Sequence, residues 1–159
     1  MAFSFEPTPR EAIIEVFNQF AKSVDDGDAA LLSRVLTADM VMDLSPFEAL
    51  GLTLPLLDGR DTVVPTLMKA VGETQDTTHQ FTNFTMRETS AGDVDVECHG
   101  LVQHYTLGQG LSMEGDKDYF LMGNRYKAVV THEGDGWKIK KLTVRAQWVH
   151  GNVEIVKGN

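Results

Sequence analysis

The chain has 159 residues, 42% of them hydrophobic and 23% charged, the composition of one soluble domain large enough to bury a core without metal or disulfide staples. Its formal charge of −9 excludes a phosphate-backbone partner, which needs clustered Lys and Arg, so no nucleic acid is expected. The single cysteine, Cys98, excludes an internal disulfide framework, and neither a signal peptide nor a membrane span is visible, the longest apolar stretch being Ala49 to Leu57; a cytoplasmic chain with no membrane partner is expected.

Thr8, Pro9 and Glu11 read as a capping box opening a helix, in which Ile13, Val16, Phe17, Phe20, Ala21 and Val24 recur at helical spacing. Gly27 supplies a left-handed stop, and Asp28 caps a second helix carrying Ala29, Leu32, Val35 and Leu36. Asp25 falls at the end of the first helix, either as a solvated acid or as the orienter of a buried partner. Met40, Met42 and Leu44 alternate as a short strand would. The apolar loop from Ser45 to Asp58 is then expected to tuck under a neighbour or to serve as a lid or subunit contact. Asp61 is read as the cap of a third helix, with Val64, Leu67, Met68 and Val71 on one face.

From Thr77 onward the period shortens to two. His79 shares a face with Phe81, and a change of parity to Phe84 and Met86 marks an irregularity. In the next run Val94, Val96, Cys98, Gly100, Val102 and His104 share the core face, while His99 lies on the other side. Tyr119 to Trp148 forms a long hairpin turning at Glu133 to Gly136. Its first strand places Phe120, Met122, Tyr126, Ala128 and Val130 inward with one amide among them, Asn124, which needs a partner from protein, water or ligand. In its second strand Trp137 and Ile139 are odd whereas Leu142, Val144, Ala146 and Trp148 are even, so a bulge at Lys140 and Lys141 is expected to keep both halves inward and bend the strand. Helices followed by an antiparallel sheet predict an α+β fold with the helices on one side. His79, His104 and Asn124 converge on the side that ought to be dry, which points to a pocket. Cys98 reads as a small buried apolar residue. The last residues, Gly151 to Asn159, are left to fray or to fold over the pocket mouth.

Ala21 to Leu32 (AKSVDDGDAALL), Thr77-Thr78-His79, His104, Asn124 and Gly136-Trp137-Lys138 occur in an order and spacing that resemble the scytalone dehydratase-like branch of the SnoaL-like (NTF2-like) superfamily, across nearly the whole chain. The resemblance implies a single domain over residues 1–159. Its form would be a cone in which three N-terminal helices pack against a strongly curved, mainly antiparallel sheet around a deep pocket. It puts the family's two pocket histidines on His79 and His104, its asparagine on Asn124 and its helix-end aspartate on Asp25. The family's two tyrosines fall on Val24 and Leu44, which closes the usual route of carbonyl activation. Tyr126 either replaces a phenol in the pocket or is a core aromatic with its hydroxyl at the rim.

These residues suit proton transfer without a cofactor or metal. The expected activity is a dehydratase in which His79, steadied by Asp25, and His104 share base and acid duties while Asn124 and Tyr126 contact a small, cyclic, mostly hydrophobic substrate. An isomerase or cyclase using the same pocket, and a non-catalytic carrier or assembly module, are the alternatives. Leu101, Tyr105 and Leu107 on the outer face of their strand lead to the expectation of a homodimer or homotrimer.

Overall fold

The computed structural model describes residues 6–113 and 118–157. Helix α1 (Pro9–Asp25) opens on the expected capping box, with the Glu11 amide donating to Thr8 Oγ1 at 3.3 Å and the Thr8 amide to Glu11 Oε2 at 2.8 Å. Its apolar stripe is buried, and Phe17 meets Phe81 and Phe84 edge-on with centroids 5.6 and 5.3 Å away. Gly27 takes φ +65°, and Asp28 caps α2 (Ala29–Val35) by accepting from the Leu31 amide at 2.8 Å. Strand β1 (Leu36–Asp43) buries Met40 and Met42. It stops one residue short of Leu44, because the Asp43 carboxylate accepts from both the amide and the hydroxyl of Ser45. A 3₁₀ turn (Ser45–Leu50) and β2 (Leu56–Asp58) follow.

Helix α3 (Arg60–Leu67) corrects one expectation. Its cap is Gly59, at φ +84°, whose carbonyl accepts from the amides of Thr62 and Val63; Asp61 lies inside the first turn, where an acid complements the helix dipole. Pro65 withholds an N–H from the helix ladder, and the α-helix gives way at Met68 to a π turn (Met68–Gly72). Val64 and Met68 are nevertheless buried, and Leu67 and Val71 pack against the same core. Among the described residues no helix is long and apolar enough to cross a membrane.

Strands β3 (Gln75–Glu88), β4 (Val94–Thr106), β5 (Tyr119–Glu133) and β6 (Gly136–Gly151) complete a six-stranded sheet ordered β2-β1-β6-β5-β4-β3, antiparallel throughout except where β1 runs parallel to β6. Each predicted parity change is a bulge. In β6, Val129 pairs with Lys141 but Val130 with Ile139, which leaves Lys140 over and keeps Ile139, Leu142 and Val144 buried. In β3 the register shifts between Thr82 and Thr85, around Asn83 at φ +56°. Extra residues of this kind bend and twist a strand, and here they curve the sheet over α1. A third bulge, at Gln147, is not visible in the alternation, and it corrects the placement of Trp148. Because Asn124 pairs with Ala146 and Gly123 with Trp148, the indole passes to the outer face, lies over Gly123 and stays 49% exposed. Leu101, in register with Gly123, is exposed on the same side of the sheet, and Leu107, in the turn after β4, is exposed as well.

Gly100 is where the inner face needs a missing side chain. A β-carbon there would lie 2.3 Å from Cε2 of Tyr126, whose ring packs edge-on to Phe81 at 4.8 Å. Gly100→Ala is expected to displace that ring and cost about 1–3 kcal/mol of stability, as overpacking does. Urea denaturation reads this directly, and an unchanged midpoint would mean that the ring yields freely.

Candidate functional site

Asp25 ends α1, where the helix dipole disfavours an anion. Strand β3 compensates with three donors. Oδ1 accepts from Thr77 Oγ1 at 2.8 Å and from His79 Nδ1 at 2.6 Å, and Oδ2 accepts from the His79 backbone N–H at 2.9 Å. Burial alone would raise the carboxyl's pKa, but the His79 ring and amide and the Thr77 hydroxyl outweigh it and hold Asp25 below its ordinary value. An ionised carboxylate only accepts, so the His79 ring carries its proton on Nδ1 and keeps a lone pair on Nε2. Of the two sequence alternatives for Asp25, the orienter of a buried partner is the geometry found.

His79, His104, Asn124 and Tyr126 all line one cavity of about 180 Å³ behind the curved sheet. An engineered cavity of roughly 150 Å³ holds benzene, so there is room here for about one ring. Its remaining walls are apolar apart from Thr66, whose hydroxyl donates to the Thr62 carbonyl. Val24 and Leu44, where the resemblance puts tyrosines, are among them, as are Phe47 and Leu54 of the loop after β1 and Val156 of the C-terminal 3₁₀ turn (Val153–Lys157). Both segments whose roles the sequence left open therefore form walls of the cavity.

His104 is buried on β4 with its ring edge-on to His79, centroids 6.1 Å apart, and its Nδ1 2.7 Å from Oε1 of Gln75. Burial, with the nearby His79 adding to it and Asp25 opposing, lowers its pKa to about 3. His104 is thus neutral at physiological pH. The sign for stability follows. Between pH 3 and 6.5 the unfolded chain takes up a proton that the folded chain refuses, so this contribution is full above about pH 6.5 and is lost as pH falls toward 3. His104→Gln should flatten the fall in stability between pH 6.5 and 4.5 by about 1.4 kcal/mol per pH unit in urea titrations. Parallel slopes for variant and wild type would contradict it.

Asn124 donates through Nδ2 to the Tyr126 hydroxyl at 3.4 Å, and its buried Oδ1 has no partner. Leaving a buried carbonyl unpaired costs about 1–3 kcal/mol, so the atom is set for a donor brought by a ligand or water. Burial raises the Tyr126 pKa, with the Asn124 bond opposing, so the phenol keeps its proton and is able to donate it. Cys98 is buried and burial pushes its thiol up to about 12, as an inert core residue requires. His99 lies on the outer face beside Asn83, its Nδ1 3.1 Å from the amide nitrogen. Among the described residues no cluster of His, Cys, Asp or Glu is arranged to hold a metal ion. Gln75 is the functional residue that the alternation does not single out; it shares the parity of Thr77 and His79, two residues before the expected start of the strand.

Residues 7–143 match the SnoaL-like domain family. The chain belongs to that family. A relative in Penicillium crustosum, "Terrestric acid biosynthesis cluster protein E", is 30% identical over 145 residues, which covers 90% of this chain and 86% of the relative. Among solved structures, a candidate scytalone dehydratase from Novosphingobium aromaticivorans superposes with a TM-score of 0.72 at 19% identity, over 90% of this chain and 87% of the other. The LinA-type3 hexachlorocyclohexane dehydrochlorinase from Novosphingobium barchaimii LL02 gives 0.72 at 17% identity, over 92% and 91%. At these identities the likenesses concern the fold, a curved sheet against helices, as expected for a SnoaL-like chain in the NTF2-like superfamily.

Proposed function

We propose that this SnoaL-like protein is a cofactor-independent lyase that removes water from a small, cyclic, mostly hydrophobic hydroxy-carbonyl compound. The observation that carries the reading is the Asp25–His79 pair at the edge of an apolar cavity, with the unpaired Asn124 carbonyl on the same wall. Nε2 of His79 takes the proton from the carbon next to the substrate carbonyl, and the imidazolium formed is stabilised by the Asp25 carboxylate. Charge developing on the carbonyl oxygen is met by the Tyr126 hydroxyl, in place of the absent tyrosines. The C–O bond then breaks with its electron pair leaving on oxygen, and the imidazolium returns its proton to that oxygen, so that one water departs. Asn124 Oδ1 accepts from the hydroxyl beforehand and fixes its direction. The apolar walls keep bulk water from the intermediate. The biosynthetic-cluster setting of the Penicillium relative fits a role in secondary-metabolite assembly.

A mass-resolved turnover assay on cyclic β-hydroxy ketones tests this reading. Loss of one water supports it, and an unchanged product mass, or binding without turnover, removes it. An isomerase is the second reading, favoured by one feature: with His104 held neutral, no second imidazolium stands by to protonate a departing hydroxyl. Deuterium uptake from solvent without loss of water would identify that case. We also propose that the outer face bearing Leu101 and Trp148 packs against further copies of the chain. Light scattering should give a mass two or three times 17.6 kDa at micromolar concentration, and a monomer mass would remove the proposal.

A further inference from the structure

Gln75, at the first position of β3, is 4% exposed and takes no part in the chemistry above. Its amide nitrogen has two N–H groups, and both are committed: Nε2 donates to the carbonyl of Ala70 at 2.8 Å and to that of Ile155 at 3.2 Å. Turning the amide over would set its oxygen against two carbonyl oxygens and lose both hydrogen bonds, leaving Ala70 only the one from the Thr74 hydroxyl. The orientation is therefore fixed by its surroundings, and Oε1 faces Nδ1 of His104 at 2.7 Å. A carbonyl oxygen can only accept, so the proton of the neutral ring sits on Nδ1 and Nε2 is bare.

We propose that Gln75 is a positioning residue that locks His104 in the Nδ1–H tautomer, so that the ring offers the ligand a hydrogen-bond acceptor in the same cavity that Asn124, with its unpaired Oδ1, also lines. The lock is built from three separate parts of the chain. Ala70 belongs to the π turn after α3, Ile155 to the C-terminal turn, and His104 to β4. Val153, Ile155 and Val156 pack on Val102, Phe120 and Met122, so seating the C-terminal turn also places the carbonyl that Gln75 needs. Among charged and titratable groups near the ring, His79 discourages its protonation and Asp25 favours it. Two acceptors lining one cavity select a ligand that carries separate hydroxyl hydrogens to them, and an ether or ketone oxygen in either place leaves that acceptor unpaired. This last step rests on the proposed reading of the cavity as a substrate site.

The test is imidazole ¹⁵N NMR on the full chain, with His104→Phe used to assign the signal. Wild type should show a pyrrole-type Nδ1 and a pyridine-type Nε2, unchanged from pH 8 to 5. Gln75→Leu should populate the Nε2–H form and lower kcat on an accepted substrate by about 10- to 100-fold with little change in KM, the scale of lost outer-shell support. A wild-type ring protonated on Nε2, or a Gln75→Leu ring still on Nδ1, would overturn the proposal. The wild-type spectrum decides even if a variant fails to fold. Because it needs no substrate, an Nδ1–H ring in a protein that dehydrates nothing would sink the lyase reading and leave the lock standing.

Discussion

Asp25→Asn is expected to cut turnover by about 10²- to 10⁴-fold while leaving the fold in place, the range seen when a histidine loses its orienting carboxylate. The reason is a count of donors. Oδ1 takes hydrogen bonds from Thr77 and the His79 ring and Oδ2 takes one from the His79 amide, all of them inward donations. An asparagine can keep only one of those two oxygens. With its nitrogen toward the ring, it donates to Nδ1, drives the proton to Nε2 and removes the base. With its nitrogen toward the strand, it opposes the His79 N–H, and the imidazolium formed in the reaction has no counter-charge either way. Steady-state kinetics beside near-UV circular dichroism checks the prediction, and a kcat within a few-fold of wild type would exclude Asp25 from the reaction.

His79→Ala should be the more severe change, lowering kcat by at least about 10³-fold, because the variant has no base left to take the carbon-bound proton. His104 cannot substitute, since burial, the larger cause of its low pKa, persists when His79 is removed. Ligand affinity should fall much less, the walls and Asn124 being untouched. The small ring space left behind opens to the cavity, so added imidazole should restore part of the rate. Failure of imidazole to help, together with near-normal turnover of the variant, would move the base elsewhere.

The candidate site was partly legible before any coordinates. The inward placement of His79, His104, Asn124 and Tyr126 follows from alternation along their strands, and the bulge at Lys140 follows from a change of parity that only an extra residue reconciles with a buried face. The bulge at Gln147 left no such trace. Trp148 continues the even pattern of Val144 and Ala146, and an outward tryptophan reads the same as an inward one until Gly123 is seen to make room for it. Asp61 obeyed the capping rule on paper, yet Gly59 could take the positive φ that turns the chain into α3, and the cap followed the backbone.

Alternation along a strand and 3.6-residue recurrence along a helix are local properties of the backbone, so the facing side of most residues was already written in the chain, Trp148 beyond its silent bulge excepted. Only the tertiary structure decided which atoms meet. The Asp25 carboxylate reaches a histidine 54 positions later, and Gln75 finds the Ile155 carbonyl 80 positions away. Those encounters are set by the curvature of the sheet and the return of the C-terminal turn. They in turn fix where the protons sit on two imidazole rings, since a tautomer is a property of the partner atom and not of the histidine.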